Sequence, residues 1–266
     1  MPYSQAMFAS PGAIAFQIGP ITIRWYGVLM AVAILVACWI ADREAKRSGL
    51  PADKILSAAQ WAIIAGLVGA RIYEVIFNWD YYGRFPSKIP AVWEGGLAIH
   101  GALIAGILTG LILARRYALP LLPSLDVAAP AIAIGQAIGR WGNFFNEEAF
   151  GQPTGLPWKL YISPPNRPAE YQTSEFFHPA FLYESLWDLA VFAVLMLIRR
   201  GGGARPGVVF YLYIGLYSVG RLAIESIRLD SFWLGPFRVA QLASVVGIAI
   251  CLVGLLAVRS RRGAVA

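Results

Sequence analysis

Seven long apolar segments, separated by charged or proline- and glycine-rich loops, decide what this chain can fold into. They are residues 27–40, 55–77, 97–114, 124–139, 179–198, 207–224 and 239–258. A membrane-spanning helix needs about 20 mostly apolar residues, within a range of about 17–25. The runs are continuous rather than alternating, which favours helices over a closed barrel. We therefore predict an all-α polytopic membrane protein of about seven transmembrane helices, forming a single domain over residues 1–266, with the first and fourth helices extended by flanking residues.

Composition and loop charge support this class and predict an orientation. Charged residues make up 14% of the chain, against about 25% in soluble domains. Twelve of the 22 lysines and arginines fall in one set of loops and the tail, and seven in the opposite set. The twelve are Arg43, Lys46, Arg47, Lys54, Arg115, Arg116, Arg199, Arg200, Arg205, Arg259, Arg261 and Arg262. The richer side is expected in the cytoplasm, so the N-terminus lies outside and the C-terminus inside. The net charge of +7 reflects this bias and does not indicate nucleic-acid binding.

The remaining three arginines lie within the apolar runs. An arginine at the centre of a spanning helix costs roughly 2.5–3.5 kcal/mol on insertion scales. The predicted topology places Arg71, Arg140 and Arg221 at the external ends of their helices, which indicates a shared anionic partner such as a lipid phosphate. Six helices bring polar residues to this end: Tyr26, Arg71, Glu74, His100, Arg140, Asn143, His178, Tyr217, Arg221 and Glu225. The sequence thus predicts one cavity that opens toward the outer leaflet.

The spacing of these residues leaves two interpretations open. Arg71 and Glu74 are three residues apart, and Arg221 and Glu225 are four apart, so each pair shares a helix face. Either pair is consistent with a purely structural ion pair, and Arg71 also with a side chain that reaches up to the interface. Arg140 has no acidic residue one turn earlier. Its charge therefore requires a partner from another helix or from a ligand.

The histidines and cysteines limit the chemistry. His100 lies among small residues that permit close approach of a ligand or another helix, and we treat it as a functional candidate. His178 precedes Pro179, where capping or packing explains it as well as chemistry does. Cys38 and Cys251 lie in apolar runs and are expected to pack rather than to form a disulfide or bind a metal. The first 24 residues lack the charged start and cleavage site of a signal peptide.

A polar stretch and a long loop follow the fourth apolar run. Residues 139–151 contain an arginine, two asparagines and two glutamates, which is more than a turn requires. Residues 144–177 hold five prolines and are too few for a conventional domain. We expect this segment to form a structured external cap or an ordered irregular loop.

Residues 139–151 closely resemble the signature of bacterial prolipoprotein diacylglyceryl transferases. Further matches occur in order along most of the chain: Tyr26 with Gly27, residues 69–71, residues 100–102, His178 with Pro179, Tyr183 with Glu184, and Tyr217 with Arg221 and Glu225. Glu147 departs from the pattern, because a small or neutral residue is expected there, while the next glutamate is present as Glu148.

The resemblance implies a reaction at the outer face of the bacterial cytoplasmic (inner) membrane. Such enzymes transfer the diacylglyceryl group of phosphatidylglycerol to the lipobox cysteine in the signal peptide of a prolipoprotein. A thioether forms and glycerol phosphate leaves, without a metal or another cofactor. The expected catalytic residues are His100, Arg140, Arg221 and Tyr26. The expected substrate-binding residues are Arg71, Arg140, Asn143, Asn146, Glu148, Gly151, Tyr217 and Glu225. His100 is the candidate base, with Tyr26 or Glu148 as alternatives for proton relay.

Other classes fit the residues less well. A transporter or flippase usually carries polar residues through the midplane to the other face, whereas here they cluster at one side. A zinc protease is disfavoured because the HExxH motif is absent, and Ser218 does not have nucleophile-elbow spacing. A passive scaffold leaves the intramembrane arginines unexplained.

Overall fold

Seven helices of the expected length and apolarity dominate the structure. The computed structural model describes residues 8–19 and 21–260, so Arg261 and Arg262 lie outside the described residues. In the described part, seven helices are long and apolar enough to cross a membrane, which confirms the prediction. They are α1 (Trp25–Arg47), α2 (Ala52–Phe77), α4 (Ile99–Arg116), α5 (Leu121–Asn146), α6 (Ala180–Arg200), α7 (Val208–Glu225) and α8 (Val239–Ser260). The short helix α3 (Trp79–Tyr82) follows α2. The orientation across the membrane stays a prediction.

The helices extend beyond the apolar runs. Helix α1 has 23 residues and α5 has 26, so flanking residues do complete the two runs that were too short. The basic residues Lys46 and Arg47 occupy the last turn of α1, where positive charge stabilises the carbonyl end of a helix. Helix α5 continues seven residues past the apolar run that ends at residue 139, as far as Asn146. The first eight of the 13 residues of the polar stretch are therefore helical.

Short strands supplement the helices. They are β1 (Phe8–Ala9), β2 (Ile14–Ile18), β3 (Ile21–Arg24), β4 (Leu160–Tyr161), β5 (Phe176–Phe177), β6 (Trp233–Leu234) and β7 (Phe237–Arg238). The order of the small sheet is β1-β4-β5, with β1 parallel to β4 and β4 antiparallel to β5. The pairs β2–β3 and β6–β7 are antiparallel hairpins.

The segment between α5 and α6 is folded around its own apolar cluster. The buried members are Phe144, Phe150, Leu160, Ile162, Phe177 and Phe181. Three of them come from strands β4 and β5 or lie next to them, and two come from the adjoining helices α5 and α6. The predicted cap at residues 144–177 is thus an ordered piece of structure, and its external location stays a prediction.

The described chain forms two compact units. The larger comprises the residues up to Ile40 and those from Leu125 onward, and the smaller is Ala41–Ser124. The single membrane domain over residues 1–266 stays a prediction. In the smaller unit, α2 and α4 cross where Gly69 meets Gly101. A Cβ atom on Gly101 would lie 2.2 Å from the carbonyl oxygen of Gly69, so only glycine permits this approach.

Within the larger unit, a buried acid on α5 fixes the start of α7. Asp126 accepts hydrogen bonds from the backbone N–H groups of Gly207, at 2.6 Å, and Phe210, at 2.8 Å. These groups belong to the first turn of α7, whose N–H groups have no partner within the helix. The contact sets the position of α7 along α5 and thereby places Arg221 relative to Arg140.

Candidate active site

Helix α5 ends in a cap built on a glutamate. The N–H of Glu147 donates to the carbonyl of Phe144 (3.2 Å), and the N–H of Glu148 to that of Asn143 (3.0 Å). This pair of bonds is the Schellman motif, in which the residue after the helix adopts the left-handed conformation and is usually glycine. Here Glu147 adopts it, with φ of 52°.

The side chain of Glu147 explains why a glutamate is used. Its carboxylate accepts hydrogen bonds from the backbone N–H of Ser163 (2.9 Å), the hydroxyl of Ser163 and Nδ2 of Asn166 (2.9 Å). A strained non-glycine residue costs on the order of 1–3 kcal/mol, and hydrogen bonds to a charged group offset such a cost. The one departure from the signature pattern thus ties the end of α5 to the cap.

Four predicted site residues gather around this end of α5. Nδ2 of Asn143 donates to Oε1 of Glu148 at 2.9 Å, and Nδ2 of Asn146 donates to the same atom at 3.3 Å. The ring of Tyr26 packs on Gly142, where a Cβ atom would lie 2.6 Å from its Cδ2. The Oδ1 atom of Asn146 is buried and has no hydrogen-bond partner among the described residues.

Gly151 has a backbone role. Its N–H donates to the carbonyl of His178 (3.0 Å), and it pairs with Arg228 in an isolated β-bridge. A Cβ atom would lie 2.8 Å from Cβ of His178 and 3.1 Å from the carbonyl oxygen of Ile227. The structure therefore accounts for this glycine by the close meeting of three segments, and a direct contact with substrate stays a prediction.

The centre of the site is the carboxylate of Glu184 on α6. Its Oε1 atom accepts hydrogen bonds from Nη1 of Arg221 (2.6 Å) and Nη1 of Arg228 (3.0 Å). Its Oε2 atom lies 3.0 Å from Nη1 of Arg140. The partner that Arg140 requires is thus an acid on another helix. A buried carboxylate is tolerated only when it is paired and hydrogen-bonded, and three guanidinium groups satisfy that condition here.

Two further acids complete the cluster. Nη2 of Arg221 lies 2.7 Å from Oε2 of Glu225, so these two residues on one face of α7 form an ion pair. Arg228 holds Asp230 through two hydrogen bonds of 3.0 and 2.6 Å. Burial lowers the pKa of Arg228, but the carboxylates of Glu184 and Asp230 outweigh that effect, and the pKa is raised overall.

The arginines differ in how many donors they keep free. Arg228 is buried and largely paired, whereas the side chains of Arg140 and Arg221 are 21% and 20% exposed. Among the described residues, Glu184 is the acid that forms an ion pair with Arg140. The partly exposed Arg140 and Arg221 are therefore better candidates for binding an anion than Arg228.

A second polar layer lies one helical turn below the first, farther from the end of the bundle at which the cap begins. Going four residues along each helix leads from Arg140 to Gln136, from Glu184 to Asp188 and from Arg221 to Tyr217, about 6 Å at 1.5 Å per residue. The Tyr213 hydroxyl donates to Oε1 of Gln136 at 2.9 Å. A small cleft touches both layers and is lined by Arg140, Glu184, Trp187, Asp188, Tyr217, Gly220, Arg221 and Ile224.

Arg71 does not pair with Glu74 in the described structure. Its five N–H groups donate to backbone carbonyls within a single loop of the smaller unit. The acceptors are Lys88, Ile89, Ala91, Gly95 and Gly96. Glu74 instead accepts from Nδ2 of Asn78 at 3.1 Å. Since no donor of Arg71 is left over, the structure favours a role in holding this loop, and its predicted contact with substrate is not supported by this geometry.

His100 is the second residue of α4 and also lies in the smaller unit. Its ring is exposed and stacks on Tyr73, with centroids 5.7 Å apart. The neighbouring Gly101 makes the close contact with α2. The meeting of His100 and Arg71 with the arginine cluster of the larger unit stays a prediction.

Three residues of this site were not predicted as site residues from the sequence. Glu184 was matched only as part of the family pattern, and Arg228 and Asp188 were not singled out. One signal was present: Glu184 and Asp188 are acids inside an apolar run, and intramembrane acids generally pair with cations.

Comparison with known proteins agrees with the resemblance. A family model described as prolipoprotein diacylglyceryl transferase matches residues 13–257. Proteins named phosphatidylglycerol–prolipoprotein diacylglyceryl transferase are similar over nearly their whole length. Those of Nostoc sp. and Acaryochloris marina are 49% and 45% identical, each alignment covering 96% of this chain and 93% of the relative. That of Synechocystis sp. is 43% identical, covering 94% of this chain and 90% of the relative. This chain belongs to the prolipoprotein diacylglyceryl transferase family.

Proposed function

We propose that this protein transfers the diacylglyceryl group of phosphatidylglycerol to a prolipoprotein, as the names of its relatives state for them. In the proposed reaction, the lipobox cysteine thiol of the signal peptide attacks the glycerol carbon that carries the phosphate. A thioether forms, and glycerol phosphate leaves. The reaction takes place at the outer leaflet of the bacterial cytoplasmic membrane.

The observation that carries this proposal is the joint attachment of Arg140 and Arg221 to Glu184. One carboxylate holds two guanidinium groups from different helices side by side at a cleft. Guanidinium is planar, always charged and suited to binding phosphate through two hydrogen bonds. The arrangement fits a phosphodiester better than an apolar or cationic ligand.

The same arginines suit the chemical step. As the carbon–oxygen bond breaks, the leaving phosphate gains negative charge. Donors that are already in place stabilise such charge strongly in a site shielded from water. We assign that part to Arg140 and Arg221. Glu184 acts as a positioning residue that fixes both of them before the lipid arrives.

The residues at the end of α5 are proposed to orient the lipid head group. Asn143, Asn146 and Glu148 already share hydrogen bonds there, and the free Oδ1 of Asn146 is an acceptor for a glycerol hydroxyl. Tyr217 and Glu225 belong to the same proposed binding region, on the lower and upper turns of α7. Gly151 is proposed to contribute by letting the cap approach closely.

For activation of the thiol, His100 is the candidate that the family resemblance supplies. A cysteine thiol has an ordinary pKa near 8.5, so a base that favours the thiolate accelerates the attack. Tyr26 and Glu148 are the alternative candidates for relaying the proton or orienting the head group. Both large substrates are expected to enter from the bilayer between helices.

The test is to incubate the purified protein in phosphatidylglycerol-containing nanodiscs with a lipobox peptide and to measure the peptide mass. Addition of a diacylglyceryl mass is expected with the cysteine peptide and not with a matched serine peptide. Phosphatidylglycerol labelled in its head group should release labelled glycerol phosphate in equal amount. A protein that moves lipid between leaflets without changing the peptide mass would contradict the proposal.

A further inference from the structure

Asp188 is a buried acid that the proposed reaction has not yet used. It lies on α6 one turn below Glu184, is 3% exposed and lines the same cleft as Arg140 and Arg221. Its Oδ2 atom is buried and has no hydrogen-bond partner among the described residues. A buried carboxylate oxygen costs free energy unless a hydrogen-bond donor pairs with it.

The position of Asp188 relative to the arginines has a chemical meaning. Displacement at a saturated carbon requires the nucleophile to approach opposite the departing oxygen, with the reacting atoms aligned. Arg140 and Arg221 hold the departing phosphate in the upper layer, toward the cap. The nucleophile must therefore approach from the lower layer, where Asp188 lies.

The hydrogen-bond donors of the two substrates indicate which group could interact with Asp188. The hydroxyl groups of phosphatidylglycerol lie on its head group, beyond the phosphate and toward the cap. The diacylglyceryl part below the phosphate offers only ester oxygens. These accept hydrogen bonds and therefore cannot donate one to the Asp188 carboxylate. The cysteine thiol of the peptide is the substrate group that could donate a proton in the lower polar layer, where Asp188 lies.

We propose that Asp188 is a further catalytic residue and that it, rather than His100, accepts the proton of the incoming cysteine thiol. This inference rests on the proposed function. The S–H proton passes to the Asp188 carboxylate as the sulfur–carbon bond forms. The carbon–oxygen bond to phosphate breaks at the same time, and its electron pair stays on the phosphate oxygen. The phosphate gains one negative charge while Asp188 loses one, so the total charge in the cleft does not change.

The experiment compares a cysteine peptide with the same peptide carrying selenocysteine. A selenol is largely ionised at neutral pH and has no proton for a base to remove. Asp188→Asn should slow transfer to the cysteine peptide by roughly a hundredfold or more, in the range of general-base contributions, and slow transfer to the selenocysteine peptide far less. The matched control is Asp53→Asn, at an exposed position of α2, which should leave both rates unchanged.

A role in folding or in balancing the arginine charges would lower both rates equally, and that result overturns the proposal. His100→Asn is measured in parallel. A selective loss with the cysteine peptide in that variant would assign the proton to His100 and also overturn the proposal, whereas equal losses support it. If Asp188→Asn does not fold, Asp188→Glu takes its place: the displaced carboxylate should slow transfer to the cysteine peptide more than transfer to the selenocysteine peptide, and equal losses overturn the proposal. Absence of any peptide product with the unaltered protein would instead reject the proposed function itself.

Discussion

Glu184 of α6 accepts a hydrogen bond of 2.6 Å from Arg221 of α7. Because the same carboxylate also holds Arg140 of α5, three helices meet at one side chain. The guanidinium groups repel each other, and the carboxylate that they share, together with Glu225 on Arg221, offsets that repulsion. The spacing of the two arginines, and with it the shape of the proposed anion site, depends on this acid.

Glu184→Gln should therefore damage both stability and activity. Glutamine keeps the shape but loses the charge that three arginines share, and removing one partner of a buried ion pair costs about 3–5 kcal/mol. We expect a clearly lower apparent Tm in detergent and little residual transferase activity. Glu170→Gln, at an exposed position of the cap segment, is the matched control. An unchanged Tm together with normal activity would show that Glu184 does not organise the cluster.

Arg140→Lys should separate activity from stability. Lysine retains the charge that faces Glu184, so the apparent Tm should change little. It cannot form the planar two-point contact with phosphate, and losing one such donor typically costs about 10²–10³-fold in rate. The measurement is kcat/KM for the cysteine peptide, with Arg115→Lys, at an exposed position, as control. Near-normal kcat/KM in Arg140→Lys would argue against phosphate binding by this side chain.

The sequence was sufficient to predict the seven spans and the need of Arg140 for a distant partner. Hydrophobic length and the cost of a lone intramembrane charge are local properties, and both can be read from the residues near Arg140. The identity of the partner was not predictable in this way. No spacing rule states that α6 packs beside α5 and α7, and that neighbourhood is what makes Glu184 the shared ligand.

Arg71 shows a different limit of sequence reasoning. Its spacing from Glu74 suggested an ion pair, but backbone carbonyls do not differ from residue to residue and leave no pattern in a sequence. Only the folded path of residues 88–96 places five of them around one guanidinium group. Asp188 was missed because its role depends on which cleft it lines, and that too is a tertiary property.

Arg71→Lys should loosen the loop at residues 88–96. Lysine has three donors for five carbonyls, and each buried carbonyl left without a partner costs about 1–3 kcal/mol. We expect faster hydrogen exchange and easier proteolysis in this loop, together with a lower apparent Tm. Arg84→Lys, at an exposed position nearby, should leave the exchange rates as they are. If Arg71→Lys raises only the KM for the lipid and does not speed hydrogen exchange, the prediction that Arg71 binds substrate directly is supported instead.

Two glycines of α4 should respond to alanine with opposite signs. At Gly101 a Cβ atom would lie 2.2 Å from the carbonyl oxygen of Gly69, whereas at Gly110 the nearest contact is 3.9 Å, to Cβ of Ala62. Gly101→Ala should separate α2 from α4 at a cost of about 1–3 kcal/mol. Gly110→Ala should be neutral or stabilising by up to about 1 kcal/mol, because alanine favours helix. Equal thermal stability of the two variants would contradict the close helix crossing.

His178 should make the stability of the protein depend on mildly acidic pH. Burial lowers the pKa of His178 from its ordinary value of 6.5. Its Nδ1 atom lies 3.1 Å from the Tyr183 hydroxyl, which accepts a hydrogen bond of 2.8 Å from Trp158. The Tyr183 proton is thereby free to point at Nδ1, and that arrangement suits a neutral imidazole.

As pH falls, His178 takes up its proton first in the unfolded chain. The contribution of His178 to the free energy of unfolding is therefore complete above about pH 6.5 and is lost as pH decreases toward the lowered pKa. The apparent Tm should therefore fall between pH 7.5 and 5.5 by more in the unaltered protein than in His178→Gln, and Tyr183→Phe should reduce the difference. Parallel curves for the unaltered protein and His178→Gln would show that His178 does not contribute to the acid sensitivity.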